Sequence, residues 1–235
     1  MKIAIVGAMD IEIKQVSKLM KSPHICEMGK TKFISGQYKN IDLIVAQCGI
    51  GKVNAAICTQ TLILKFAPNQ IINIGVSGGT EDMQIGDVGV ATGFIQHDMD
   101  TSPIGDPVGF ISGIDLIEIP ASKIVVDNLL KATKEAGMHA KESIFATGDQ
   151  FATREKIKQI KNQFNANIVD MEGAAIAQTC YKANIDFGAI RVVSDNGHAQ
   201  VEYEKFKYEA ADKCEKIIEH YLNKCAFDSQ FMHSP

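Results

Sequence analysis

The stretch "KIAIVGAMDIEIKQVSKLM", Lys2 to Met20, holds the pattern on which the fold turns. Lys2 to Gly7 is rich in branched residues and ends in glycine, as a buried strand does. From Asp10 onward, polar and apolar residues mix at helical spacing. The same succession recurs along the chain. "KFISGQY" and "IDLIVAQC" read as two strands joined at Lys39 and Asn40. "VNAAICTQTLILKF" reads as a helix whose broad apolar face comes from Ala55, Ile57, Cys58, Leu62 and Leu64. "QIINIGV" (Gln70 to Val76), "DVGVATGF", "ESIFATG" and "FGAIRVVSD" read as further strands. Helices are expected at "SKIVVDNLLKATKEAG", stopped by Gly137, and at the amphipathic "YEKFKYEAADKCEKIIEHYL". This alternation predicts an α/β fold with helices on both faces of a central sheet. No internal repeat, low-complexity stretch or linker-like shift in composition interrupts residues 1–235, so one domain is expected. From Cys225 the period is lost, and the tail is expected to dock on the surface or fray.

A chain of 235 residues with 46% hydrophobic content can bury one sizeable core. Lys and Arg number 24 against 28 Asp and Glu, a net charge of −4, and no block of like charge occurs. Neither nucleic acid nor a membrane surface is an expected partner. No run reaches the roughly 18 apolar residues of a membrane span, and "MKIAIVGAMD" lacks the apolar core and cleavage site of a signal peptide. Cys26, Cys48, Cys58, Cys180, Cys214 and Cys225 form no CxxC pairs, which suits buried free thiols better than a disulfide frame. A cytoplasmic location is expected.

Open α/β sheets bind ligands beyond the carboxyl ends of their strands. Here the expected strands run into "GAMDIE", "VSGG", "GDQF", "DME" and "SD". Each has a bland reading. Gly75 to Gly79 fits a loop that approaches a ligand closely, or an ordinary tight turn. Glu12 suits the first turn of a helix, and Asp195 a turn or N-cap. In "NIVDMEGAAIAQ" (Asn167 to Gln178), Asp170 and Glu172 either cap the following helix or hold a substrate. "QHDMD" (Gln96 to Asp100) sets a histidine beside two acids without completing a ligand set, so hydrogen-bonded loop structure is expected rather than a metal. There is no GxGxxG opening a helix, no P-loop, no GxSxG elbow, and no cysteine in a nucleophile's motif. Arg154 and Arg191 are the chain's two arginines. Tight phosphate sites usually recruit arginine, which weighs against phosphate-dependent chemistry.

In order along the chain, "KIAIVGAMDIE", "GIGKVNAA", "GVSGG", "TGDQF", "VDMEGAAIA" and "RVVSD" closely resemble the 5′-methylthioadenosine/S-adenosylhomocysteine nucleosidases of the purine nucleoside phosphorylase superfamily. The likeness runs from Lys2 to about Leu222. It implies a three-layer α/β/α sandwich around a mixed sheet, a homodimer, and no cofactor. It also implies hydrolysis of the N-glycosidic bond between adenine and a 5′-substituted ribose. On this resemblance Glu12 is the base that activates water, and Asp195 the acid that protonates adenine N7, steadied by Ser194. Glu172 binds ribose hydroxyls and Met171 packs on the sugar. Phe151 and the backbone of Ala152 bind adenine. Ser77, Gly78 and Arg191 line the water and ribose region, Met9 and Ile50 form pocket walls, and Tyr203 covers the alkylthio end. Thr101 to Gly113 lies where the family sends a loop toward the neighbouring subunit's pocket. Its composition differs from the best-known members, which leaves the 5′-substituent open.

Elementary chemistry asks for the same groups. Breaking this bond leaves a departing adenine anion and an oxocarbenium-like sugar. A carboxyl with raised pKa protonates the base, and an ionised carboxylate on the other side of the sugar readies water. On that account Glu172 is the functional acid of its segment and Asp170 begins the helix. A purine nucleoside phosphorylase and a catalytically silent nucleoside-binding protein are the competing readings. Scarce arginine opposes the first, and the presence of both Glu12 and Asp195 opposes the second.

Overall fold

The computed structural model describes residues 1–197 and 200–231, with the side chains of 200–203 and 229–231 outside that description. Strand β1 (Lys2–Gly7) forms because its side chains alternate between two apolar layers: Ile3 and Ile5 enter one, Ala4 and Val6 the other. Parallel neighbours β4 (Ile41–Gln47) and β5 (Gln70–Gly79) flank it. Between these come helix α1 (Asp10–Lys18), the hairpin of β2 (Lys21–Met28) and β3 (Thr31–Tyr38), and α2 (Lys52–Phe66). The chain continues with β6 (Val88–Gln96), a 3₁₀ turn at Ser102–Ile104, β7 (Glu118–Pro120), α3 (Lys123–Glu135) and β8 (Ala140–Thr147). It ends with α4 (Arg154–Phe164), β9 (Ile168–Asp170), α5 (Gly173–Ala183), β10 (Asp186–Asp195) and α6 (Gln200–Phe231).

The fold is the expected three-layer α/β/α sandwich around a mixed sheet, with one elaboration. The strand order is β10-β6-β8-β9-β5-β1-β4-β3-β2, with β7 on β6, and β10 also pairs with β5. That extra pairing closes a circuit through β5, β10, β6, β8 and β9. Strand β10 runs parallel to β5, whereas β9 runs antiparallel to it. Carboxyl ends of oppositely directed strands can therefore meet on one side of the closed circuit.

Val16, Val125, Leu129, Ile217 and Tyr221 from α1, α3 and α6 cover one face of the sheet. Ala55, Cys58 and Leu62 from α2 and Ala174, Ile176 and Cys180 from α5 cover the other. Fully burying each such aliphatic side chain contributes about 1.5–3 kcal/mol. The alanines of α5 let it lie close against this layer, as their size suggests.

Several expectations need adjustment. Helix α2 does not bury its whole apolar set: Ala55, Cys58 and Leu62 are inside, but Ile57 and Leu64 are exposed at 57% and 77%. Strand β2 escaped notice because all its residues are exposed or half-buried, so it shows no buried alternation. Helix α6 is longer than its amphipathic stretch and continues to Phe231, with Cys225 and Ala226 buried. Met232 and the side chain of Tyr203 lie outside the described residues. All six cysteines are free thiols, five of them buried. Among the described residues, no helix is long and apolar enough to cross a membrane.

Candidate active site

Glu12 is the third residue of α1, where a carboxylate can reach back to the helix's unpaired N–H groups. Its Oε2 accepts from the backbone N–H of Ala8 at 2.7 Å and of Met9 at 2.9 Å, while Oε1 accepts from Val76 at 3.1 Å. The side chain thus ties the end of β1 to β5. A carboxylate offers about four acceptor positions, so Oε1 can accept once more. The backbone at Gly75 comes close enough that a Cβ there would stand 2.4 Å from Oε1. Burial pushes the Glu12 carboxyl above its ordinary range, opposed by Arg191 and the three N–H bonds.

Strand β9 and the turn after it supply Asp170 and Glu172. Asp170 accepts from Thr147 Oγ1 at 2.5 Å and from the first helical N–H of α5, Gly173, at 3.1 Å. It begins the helix, as expected, and also meets Arg191 Nη2 at 2.7 Å. Glu172 Oε1 accepts from Gly51 N at 3.0 Å, and its Oε2 is 3.7 Å from Arg191 Nη2. Burial, then the neighbouring Asp170, pushes the Glu172 carboxyl up to about 7, with Arg191 pulling the other way.

Strand β10 ends in Ser194 and Asp195, both buried. Asp195 Oδ1 accepts from Gly197 N at 3.0 Å. The Ser194 hydroxyl lies 3.1 Å from Asp195 Oδ2 and 3.2 Å from the Ser77 carbonyl, so its O–H can donate to either. Ser77 Oγ and Arg191 Nε are buried without a hydrogen-bond partner among the described residues.

These groups surround one cavity of about 250 Å³. Met9 and Glu12 reach it from the end of β1, Ser77 and Gly78 from β5, and Phe151 and Ala152 from the loop after β8. Met171 and Glu172 follow β9, Ser194 and Asp195 close β10, and Ile50 comes from the segment before α2. All five expected strand ends converge. Arg191 is the exception: it was expected on the wall but lies behind it, 1% exposed, paired to Asp170 and to Asn73 Oδ1 at 2.6 Å. Its long side chain is drawn back by these buried acceptors.

The family model of the phosphorylase superfamily matches residues 2–223. A 5′-methylthioadenosine/S-adenosylhomocysteine nucleosidase of Staphylococcus aureus (strain bovine RF122 / ET3-1) is 35% identical, over 92% of this chain and 97% of its own. The chain belongs to that nucleosidase family. Solved relatives include a nucleosidase of the same name from Neisseria meningitidis in complex with methylthio-immucillin-A: TM-score 0.91, 29% identity, 95% of this chain and 99% of that one. The futalosine hydrolase of Helicobacter pylori strain 26695 is equally near in fold: TM-score 0.91, 32% identity, 95% of this chain and 97% of that one. The chain is accordingly an enzyme of the N-glycosidase class.

Sequence reasoning missed some walls of this nucleosidase-family cavity. Ala8, Val76, Gln150, Ile157, Val169 and Asp170 also line it. Ile157 had a usable signal, since Ile157, Ile160 and Phe164 recur at helical spacing after Thr153, which caps α4. In "QHDMD", Asp98 and Asp100 do serve loop hydrogen bonds, accepting from Asp149 N at 2.9 Å and Ser102 N at 2.8 Å. His97 instead is buried with both ring nitrogens unpartnered among the described residues.

The raised Glu172 carboxyl sets a pH dependence of stability. Folded protein holds this proton more tightly than unfolded chain, between the ordinary value of 4.5 and about 7. The stabilisation is therefore complete below that window and lost as pH rises through it. Urea unfolding of wild type and Glu172→Gln from pH 4 to 8 checks this. The wild type should lose stability relative to the variant as pH rises, and a wild type that holds level with the variant or gains on it as pH rises contradicts the assignment.

Proposed function

We propose that this enzyme hydrolyses the N-glycosidic bond of 5′-methylthioadenosine, S-adenosylhomocysteine and related 5′-substituted adenine nucleosides, releasing adenine. The observation that carries the reading is the convergence of Glu12 and Asp195, from opposite ends of the chain, on one cavity. Asp195 acts as the acid at adenine N7; its carboxyl faces the Ser194 hydroxyl, a partner in either protonation state. Glu12 acts as the base, with acceptor capacity remaining on Oε1 and, on the adjoining strand end, a Ser77 Oγ that has no partner among the described residues. Glu172 accepts from ribose hydroxyls, a bond that can strengthen as the sugar gains positive charge. Met171 packs on the sugar, Phe151 and Ala152 hold the base, and Met9 and Ile50 wall the pocket. Such a reaction serves methionine salvage and recycling of S-adenosylmethionine by-products, in the cytoplasm.

Phosphorolysis on the same fold is the weaker reading. The buried arginine lies behind the cavity wall with Nη2 held by Asp170 and Asn73, so its fork is not presented to a phosphate there. The 5′-substituent stays open between methylthio, homocysteinyl, deoxy and futalosine types, since relatives of both names share the fold.

A homodimer completes this proposal. On α2 and the segment before it, Ile50, Val53, Ile57 and Leu64 are all more than half exposed, and Ile50 also lines the cavity. A second copy covering this face, with residues 101–113 near its neighbour's pocket, removes apolar surface from water.

The decisive assay follows adenine release from methylthioadenosine, S-adenosylhomocysteine, 5′-deoxyadenosine and aminodeoxyfutalosine in phosphate-free buffer. At least one should be cleaved; a strict phosphate requirement would identify a phosphorylase, and silence on all four a binding protein. Asp195→Asn should lose about 10²-fold or more in turnover, and Glu12→Gln a comparable factor while still binding substrate. Near-normal turnover in either variant removes that residue's assigned role. Light scattering should give twice the chain mass for wild type and a monomer for Val53→Glu combined with Ile57→Glu. A monomeric wild type overturns the dimer.

A further inference from the structure

The loop that leaves β8 carries Gln150, Phe151 and Ala152 into the cavity wall. Burial holds only its far end, where Ala152 packs against the cluster of Ala146, Ile157 and Val169, while Phe151 is 60% exposed. Its ends are tied: Gly148 N donates to the Asp170 carbonyl at 3.1 Å, and Thr153 accepts from Lys156 N at 3.3 Å as the cap of α4. Between these ties, Asp149 lies outside the cavity lining and is held from two sides. Its Oδ1 accepts the backbone N–H of Lys52, the first residue of α2, at 2.7 Å. Its own N–H donates to Asp98 Oδ2 at 2.9 Å. Lys52 Nζ closes the ring, 2.6 Å from Asp98 Oδ1 and 3.2 Å from Gln96 Oε1. Gln96 in turn donates to Gln178 of α5 at 2.6 Å. The His97 ring packs against the loop's first residue, where a Cβ on Gly148 would come within 2.3 Å of Nε2.

Helix α2 receives no side-chain cap from its own N-cap residue, Gly51. Asp149 supplies a cap from about 100 residues away, its carboxylate taking the N–H of the first helical residue, one of the unpaired donors of a helix start. One residue earlier, Gly51 N donates to Glu172 Oε1 at 3.0 Å. Consecutive N–H groups at the start of α2 thus hold the sugar-side carboxylate and the base-side loop.

We infer that Asp149 and Asp98 are positioning residues: with Lys52 they form a clasp that fixes Phe151 and Ala152 relative to Glu172, and so set how tightly the base is held. This rests on the reading above in which Phe151 and Ala152 face adenine. Neither aspartate lines the cavity, so the clasp acts on base affinity and leaves bond cleavage alone.

The test compares wild type, Asp149→Ala, Asp149→Asn and Asp98→Asn. For Asp149→Ala, KM and the inhibition constant of adenine should rise together by roughly 2- to 30-fold, the range for losing a capping bond, with kcat nearly unchanged. Asp149→Asn keeps an acceptor for Lys52 N and should recover most of that loss. Asp98→Asn should weaken adenine in the same direction. Hydrogen exchange at the amides of 150–152 should quicken in Asp149→Ala, a readout that needs no ligand. Unchanged adenine affinity with a lowered melting temperature, or a fall in kcat at constant KM, overturns the clasp. Should wild type neither bind nor release adenine, the functional reading fails separately. Exchange then decides the clasp alone, and unaltered exchange at 150–152 overturns it.

Discussion

Arg191 is buried on β10 with the Asp170 carboxylate 2.7 Å away, Glu172 3.7 Å away and Glu12 near enough to feel its charge. One guanidinium faces three buried carboxyls, and the arrangement of the cavity floor follows from that imbalance. Breaking a buried pair of this kind typically costs about 3–5 kcal/mol, because the abandoned charge stays out of water. Asp170 takes the closest position, and Asn73 satisfies the same nitrogen. Glu172 and Glu12 are left with weaker compensation, and burial raises both carboxyls. Both line the cavity, so charge that is under-compensated on the inside becomes available to a ligand.

The closed strand circuit makes this possible. Strand β9 runs against β5 while β10 runs with it, yet both deliver acids to the same cavity. A flat, open sheet would send those ends apart. Helix starts then finish the site. Glu12 takes the N–H of Met9 at the head of α1, Asp170 that of Gly173 at the head of α5, and Asp149 that of Lys52 at the head of α2. Each satisfies a local backbone demand. Glu12 also lines the cavity, and Asp170 also holds the arginine. The bland and functional readings of Glu12 are therefore not rivals, since a capping carboxylate with one acceptor site left over is a well-anchored base.

Much of this was legible in the chain. Buried strands such as β1 and β5 announce themselves by branched runs ending in glycine, and the five strand endings carry the residues that line the cavity. Strand β2 was not legible, because a solvent-exposed edge strand has no apolar period to read. The split face of α2 was hidden for a related reason. Exposed Ile57 and buried Cys58 look alike in a pattern of apolar residues, and a difference in burial appears only once the helix is docked. Arg191 was found as a residue but misplaced, since the acceptors that draw it behind the wall, Asn73 and Asp170, lie 118 and 21 positions away. Long-range hydrogen bonds of that sort leave no spacing in the sequence.

The central claim is that two distant carboxyls flank a single ribosyl–adenine bond. A crystal structure of the Asp195→Asn protein holding intact 5′-methylthioadenosine tests it most directly. The account predicts adenine N7 within about 3 Å of the side chain at position 195, with the Glu12 carboxylate on the opposite side of the sugar. A nucleoside bound with its base turned away from position 195, or with Glu12 remote from the ribose, would contradict it.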